Sequence, residues 1–278
     1  MPTCAEAGQF SAKQPQLAVT FARTTREVAA GLLFSLALHS ALGQEGKAVE
    51  ALNGSASADW SYSDGPYTTI QSYGASATLH VPLWRLLGGS VFASNYRERF
   101  KADYSDLLLG GPYAASRGDS ILGAALFLRT PGLGRLGFNY RETVQSNQFA
   151  YAGDLQAYLA RWTVVAGIER AGIKDVWTTP TTTARIADNT YLIGASFYPQ
   201  DELRLDSRAN VFERDVGRIY SAAVEWLPAF LGIPISARFS YSHVTGDIIF
   251  ATNNTYGVSI TYFFAPTLSL LTLDRAFR

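Results

Sequence analysis

The feature that most limits what this chain can fold into is the period of its side chains. From about residue 53 to residue 264, apolar and polar residues alternate in runs of about 10, with little helical period. The stretch ISARFSYSH (235–243) changes character at almost every step. TYGVSITY (255–262) sets Tyr256, Val258, Ile260, Tyr262 and then Phe264 on one face. YGASATLHV (73–81) sets Tyr73, Ala75, Ala77, Leu79 and Val81 on one side, with Gly74, Ser76, Thr78 and His80 on the other. Successive side chains of a strand point to opposite faces, so each run has one apolar and one polar surface. About twelve such runs are predicted, centred on 55–62, 72–82, 89–99, 119–129, 134–143, 149–160, 162–172, 189–198, 202–213, 218–227, 234–244 and 254–264.

The connections alternate in length. Short ones lie at 130–134, 160–161 and 199–201, and moderate ones at 83–87 and 228–233. Between them fall the longer loops expected at 100–118 and 173–188, with shorter ones at 64–71, 144–148, 214–217 and 245–253. Short and long turns at opposite ends of alternating strands are the pattern of a membrane β-barrel. The hydrocarbon layer offers no water to backbone N–H and C=O groups, so only a helix or a closed sheet satisfies them there. Aromatic residues cluster near the ends of the runs: Trp60, Tyr62, Tyr73, Tyr140, Tyr151, Trp162, Tyr191, Phe197, Tyr220, Trp226, Tyr241 and Tyr262, with Trp84 and Phe230 in connections. Amphipathic rings favour the membrane–water boundary.

On these runs the chain resembles the bacterial outer-membrane β-barrel superfamily, as a small porin-like barrel, over residues 53–264. The last full run also resembles that superfamily's C-terminal assembly signal, with Thr255, Gly257, Ile260, Tyr262 and Phe264 in the relevant places. The resemblance implies recognition by the barrel assembly machinery. Family members usually end on that strand's aromatic residue, whereas here residues 265–278 follow, expected as a periplasmic extension or an extra strand.

Upstream, Arg23 and Arg26 precede an apolar run of 15 residues, VAAGLLFSLALHSAL (28–42). A short apolar core behind positive charge reads as a secretory signal peptide, with Ala41 and Gly43 as the small residues before a cut at Gln44. The expected organisation is therefore a leader and signal peptide over 1–43 and a single barrel domain over 44–278. Cys4 would leave with the leader, and a mature chain without Cys suits an oxidising compartment. The expected location is the outer membrane of a Gram-negative-type cell, with both termini in the periplasm and lipid as a neighbour.

Charge narrows the function. Lys and Arg number 23 and so do Asp and Glu, a balance that argues against a nucleic-acid binder. Projecting the period inward predicts a lumen lined by Asp59, His80, Arg129, Arg135, Asn139, Arg141, Asp154, Gln156, Glu169, Arg204, Asp206, Arg208, Asn210, Glu225 and Arg238. A charge at the lipid mid-plane costs about 2–4 kcal/mol, which sends these groups inside. They either pair across the lumen and stiffen a nearly closed barrel, or line a narrow wet pore. The expected function is a passive channel for small polar or charged solutes, without metal or other cofactor. The alternative is a closed structural or adhesin-type barrel acting through its loops. A third reading, a lipid hydrolase, takes His243 as base to Thr245 with Asp247 as orienting acid. The period places His243 on the lipid side with Tyr241, as an interfacial side chain beside a loop, so the chain is expected not to be an enzyme.

Overall fold

The computed structural model describes residues 49, 51–66, 68–102, 113–130, 132–179, 182–213, 217–246, 253–264 and 269–277. The expected leader and signal peptide, Asp247, and the loop residues 103–112 lie outside the described residues.

Twelve antiparallel strands form one closed barrel. They are β1 (Asn53–Asp64), β2 (Thr68–Pro82), β3 (Leu87–Ala102), β4 (Tyr113–Thr130), β5 (Gly134–Thr143), β6 (Gln148–Leu159), β7 (Trp162–Thr179), β8 (Thr182–Gln200), β9 (Leu203–Phe212), β10 (Gly217–Trp226), β11 (Ile235–Gly246) and β12 (Asn253–Phe263). Each strand pairs with its sequence neighbours, and β12 returns to β1 with Ser55 opposite Phe263 and Asp64 opposite Asn254. That seam removes both sheet edges and gives every strand backbone a partner on each side.

Register ties the alternation of one strand to the next, so the apolar faces form one continuous outer wall. Trp60 lies opposite Tyr73 and Val258, Tyr140 opposite Tyr151, and Tyr241 opposite Tyr256. These side chains, with Tyr191 and Tyr220, form an exposed aromatic ring toward the loop end of the barrel. A second set lies toward the end where the chain enters and leaves. It comprises Trp162 stacked on Phe197 at 4.5 Å, Trp226 with Phe230 at 6.0 Å, and Tyr262 edge-on to Phe264 at 5.1 Å. Between the two belts the outer wall is Leu126, Leu155, Ile193, Val224, Phe239, Ile260 and similar residues. Several charged side chains on this face sit at the level of the ring or on its loop side. Arg97 lies opposite Tyr73 with Arg99 and Lys101 beyond it, Glu142 follows Tyr140, Arg170 follows Ile168, and Arg218 precedes Tyr220. The wall is therefore that of a barrel crossing a membrane.

Parts of the two expected long loops are strand. β3 and β4 stay paired to Ala102 opposite Tyr113, and β7 and β8 to Thr179 opposite Thr182, with register shifts after Ile173 and Trp177. The apolar/polar alternation fades there. The β-branched residues of the 176–183 stretch still favour the extended backbone. The turn at 144–147 is held from β4: the Asp119 carboxylate accepts the amides of Gln145 (2.9 Å) and Ser146 (3.1 Å) and the Ser146 hydroxyl (2.5 Å).

Residues 269–277 do not form an added strand. Ser269 caps a single turn, Leu270–Thr272, that continues as a wider π-type turn, Leu273–Phe277. Leu270 and Leu273 are buried with Tyr198, Leu227 and Phe263. Those three side chains belong to the inner face, so this tail of residues 269–277 sits in the mouth at which β1 begins and β12 ends. On the other side of that mouth Val49 is fully buried beside Phe127. Gly88 makes room for both, since a Cβ there would stand 2.5 Å from the Phe127 ring and 2.9 Å from Val49.

The outer wall carries its own test. Phe239 is 67% exposed between the two belts, so Phe239→Arg is expected to cost about 2–4 kcal/mol of stability in lipid vesicles, read as a lower denaturant midpoint. Ser221→Glu, on the inner face one strand away and opposite Arg208, should not lower that midpoint.

Candidate functional site

The inner face is built from small polar residues on one arc and charge on the other. On β1, β2, β11 and β12 it presents Ser57, Ser61, Ser76, Ser240, Ser242, Gly257 and Ser259, with Ser57 and Ser76 hydroxyls 2.7 Å apart. The lumen-facing set expected from the sequence falls on this face by strand register: Asp59 on β1, His80 on β2, Arg129 on β4, Arg135, Asn139 and Arg141 on β5, Asp154 and Gln156 on β6, Glu169 on β7, Arg204, Asp206, Arg208 and Asn210 on β9, Glu225 on β10 and Arg238 on β11.

Most of these charges are spent on one another. Arg204 is the hub. Its guanidinium reaches Glu225 at 2.6 Å, Asp206 at 3.2 Å and Asp274 of the tail at 2.6 Å, with only 11% of the side chain exposed. Arg238 donates to Asp206 and lies 3.6 Å from Glu225. Two hydroxyls complete the network, Ser196 to Asp206 and Ser236 to Glu225, each at 2.6 Å. Elsewhere Arg135 meets Asp154 at 3.2 Å and Arg141 meets Glu169 at 2.6 Å. Arg129 and Arg135, opposite each other on β4 and β5, lie over the same Phe127 ring at 4.9 and 5.0 Å.

Two inner-face ions stand apart. Among the described residues no carboxylate comes within 4.0 Å of Arg208 and no cation within 4.0 Å of Asp59, whose neighbour is the Ser57 hydroxyl at 3.4 Å. Both are solvent-exposed, as is Arg141. They share a level: Asp59 adjoins Trp60, Arg208 lies opposite Ser221 beside Tyr220, and Trp60 and Tyr220 both belong to the upper aromatic ring. Gly194 lets Arg208 lie along the wall, since a Cβ there would stand 2.8 Å from the Arg208 Cγ.

Sequence reasoning did not find the tail's part in the site. Asp274 accepts a hydrogen bond from the Tyr198 hydroxyl as well as from Arg204. Arg275 donates to the Trp162 carbonyl at 2.7 Å and lies over the rings of Tyr158 and Tyr198 at 5.3 and 5.9 Å. The Leu271 amide donates to the Asp201 carbonyl in the β8–β9 turn at 3.2 Å. The available signal was the stretch LSLLTLDR (268–275), with apolar spacing suited to a helical turn that ends in adjacent opposite charges.

His243 points outward with Tyr241, as its period required. Its Nδ1 lies 2.9 Å from Asn254 Oδ1, to which the Tyr241 hydroxyl also donates. The Thr245 hydroxyl donates to the Arg218 carbonyl at 3.5 Å. The arrangement is that of an interfacial polar cluster at the aromatic ring.

No family model matches the chain, and no curated protein matches it. Among solved structures it is similar to an outer membrane channel from Pseudomonas putida F1, with a TM-score of 0.57 and 12% identity over 80% of this chain and 99% of that one. It is similar to the NanC porin, with a TM-score of 0.51 and 7% identity over 76% of this chain and 99% of that one. The translocator domain of the autotransporter NalP from Neisseria meningitidis gives a TM-score of 0.50 and 12% identity, covering 88% and 99%. At these identities the likeness is one of fold.

The inner charges differ in what they contribute to stability. Asp206 faces two guanidiniums and is 3% exposed, so Asp206→Ala should cost about 3–5 kcal/mol by leaving buried cations under-compensated. Glu169 faces an Arg141 that is 45% exposed, and Glu169→Ala should cost less than about 1 kcal/mol. Denaturant titration in vesicles reads both.

Proposed function

We propose that the chain is a passive outer-membrane channel for small polar or charged solutes, exported through the leader and signal peptide over 1–43 and inserted by the barrel assembly machinery through β12. The observation that carries this reading is the exposure of Asp59, Arg141 and Arg208 to solvent although all three face the inside of the barrel. Ionised groups exposed on an inner wall require water there. A barrel of eight strands is filled by its side chains and one of 16–18 holds an aqueous channel, so twelve strands with a serine- and glycine-lined arc leave a narrow conduit. The fold likeness to an outer membrane channel and to a porin supports the same reading. Solutes would enter from the loop end, pass the level of Asp59 and Arg208, and meet the tail at the periplasmic mouth.

One observation favours the second reading, a closed barrel acting through its loops: the tail occupies that mouth. Planar-bilayer recording separates the two. A channel gives discrete current steps, and a variant with Leu270→Ala, Leu273→Ala and Asp274→Ala, which frees the tail, should pass several-fold more current per step. The absence of steps in both proteins would remove the channel reading.

A further inference from the structure

We propose that the inner wall at the periplasmic mouth is a binding site for an organic carboxylate with an apolar body, and that the chain's own Asp274, flanked by Leu270 and Leu273, occupies it as a tethered stand-in. The inference deepens the channel reading and rests on it for the route by which a solute reaches the site.

The donors and the acceptor come from different parts of the molecule. Arg204 Nη1 and the Tyr198 hydroxyl are fixed on adjacent wall strands, β9 and β8, and both donate to the same oxygen, Asp274 Oδ2. A cation and a phenol converging on one carboxylate oxygen form a receptor for that group whatever molecule bears it. Beside them Tyr198, Leu227 and Phe263 form an apolar hollow, filled here by Leu270 and Leu273. The tail thus presents the shape the wall accepts: a carboxylate at one end and hydrocarbon next to it.

At this level of the wall Arg204 and Arg238 meet Asp206 and Glu225, and Asp274 of the tail adds a third carboxylate that Arg204 reaches at 2.6 Å. The tail is also anchored by the Leu271 amide on Asp201, and by Arg275 on the Trp162 carbonyl and the two tyrosine rings. A solute offering the same two groups competes for the same places.

The test uses full-length protein refolded in detergent, its folding verified by heat-modifiable gel mobility, and 3-phenylpropionate as the probe in titration calorimetry. A tethered competitor lowers apparent affinity by the fraction of molecules in which it is docked, so the variant with Leu270→Ala, Leu273→Ala and Asp274→Ala should bind the probe at least about ten-fold more tightly than the parent. The neutral 3-phenylpropanol should bind much more weakly to that variant. Adding Tyr198→Phe should weaken binding of the probe, and adding Arg204→Gln should abolish it. If Arg204→Gln does not fold, the Tyr198→Phe comparison decides. In the unaltered chain, a saturating concentration of the probe should accelerate removal of the tail by carboxypeptidase. Equal affinity in parent and tail variant, equal binding of the alcohol, or affinity unchanged by Tyr198→Phe would overturn the site. Calorimetry needs no current, so current steps without binding would leave the channel reading standing and this inference refuted, and binding without steps would do the reverse.

Discussion

In hydrocarbon a backbone amide has no partner other than another backbone, and each feature of this barrel follows from meeting that demand. The β1–β12 seam leaves no edge strand. Once the sheet is closed, the period-two alternation has only two destinations, outward and inward, and strand register forces neighbouring strands to agree on them. Phe239, Val224 and Val258 lie on one side through consecutive pairings, and the ionised residues of the same strands are carried to the other. The outer wall and the lumen are thus two consequences of one pairing pattern.

Inside, the composition of the two arcs sets what the lumen can do. Serine and glycine on β1, β2, β11 and β12 take little volume and leave space. The buried arginines on β9 and β11 would be costly to keep in that environment were they not met by carboxylates and hydroxyls. The Arg204 hub is therefore mainly architectural. It fixes β9, β10 and β11 to one another and holds the tail through Asp274. Arg208 and Asp59 are left exposed to a passing solute.

How much of this the sequence disclosed depends on whether a feature was periodic. The strands with strict alternation, such as TYGVSITY in β12, gave away their ends, their facing and the aromatic belts, because burial on one side leaves a regular trace. The inward placement of Arg204, Asp206, Glu225 and Arg238 came from the same trace. The pairing among them did not, since register between strands is invisible in a single strand's pattern. The hairpin extensions at β3–β4 and β7–β8 escaped for a different reason: the residues there do not alternate although their backbones still pair. The tail was the hardest part. Leu270 and Leu273 show helical spacing over too few residues to be distinctive, and the partner that gives Asp274 its meaning, Tyr198, lies 76 residues away.

The strand count has a consequence of parity. In an up-and-down sheet each strand reverses the direction of the last, so an even number returns the polypeptide to the rim from which it set out. Val49 and Leu270, at the head and foot of the barrel, are buried at one opening as a result. Add or remove a single strand and the two would sit at opposite rims, with the foot out of reach of Tyr198 and Arg204. That the molecule can stopper itself with its own last residues is, at bottom, a property of twelve being divisible by two.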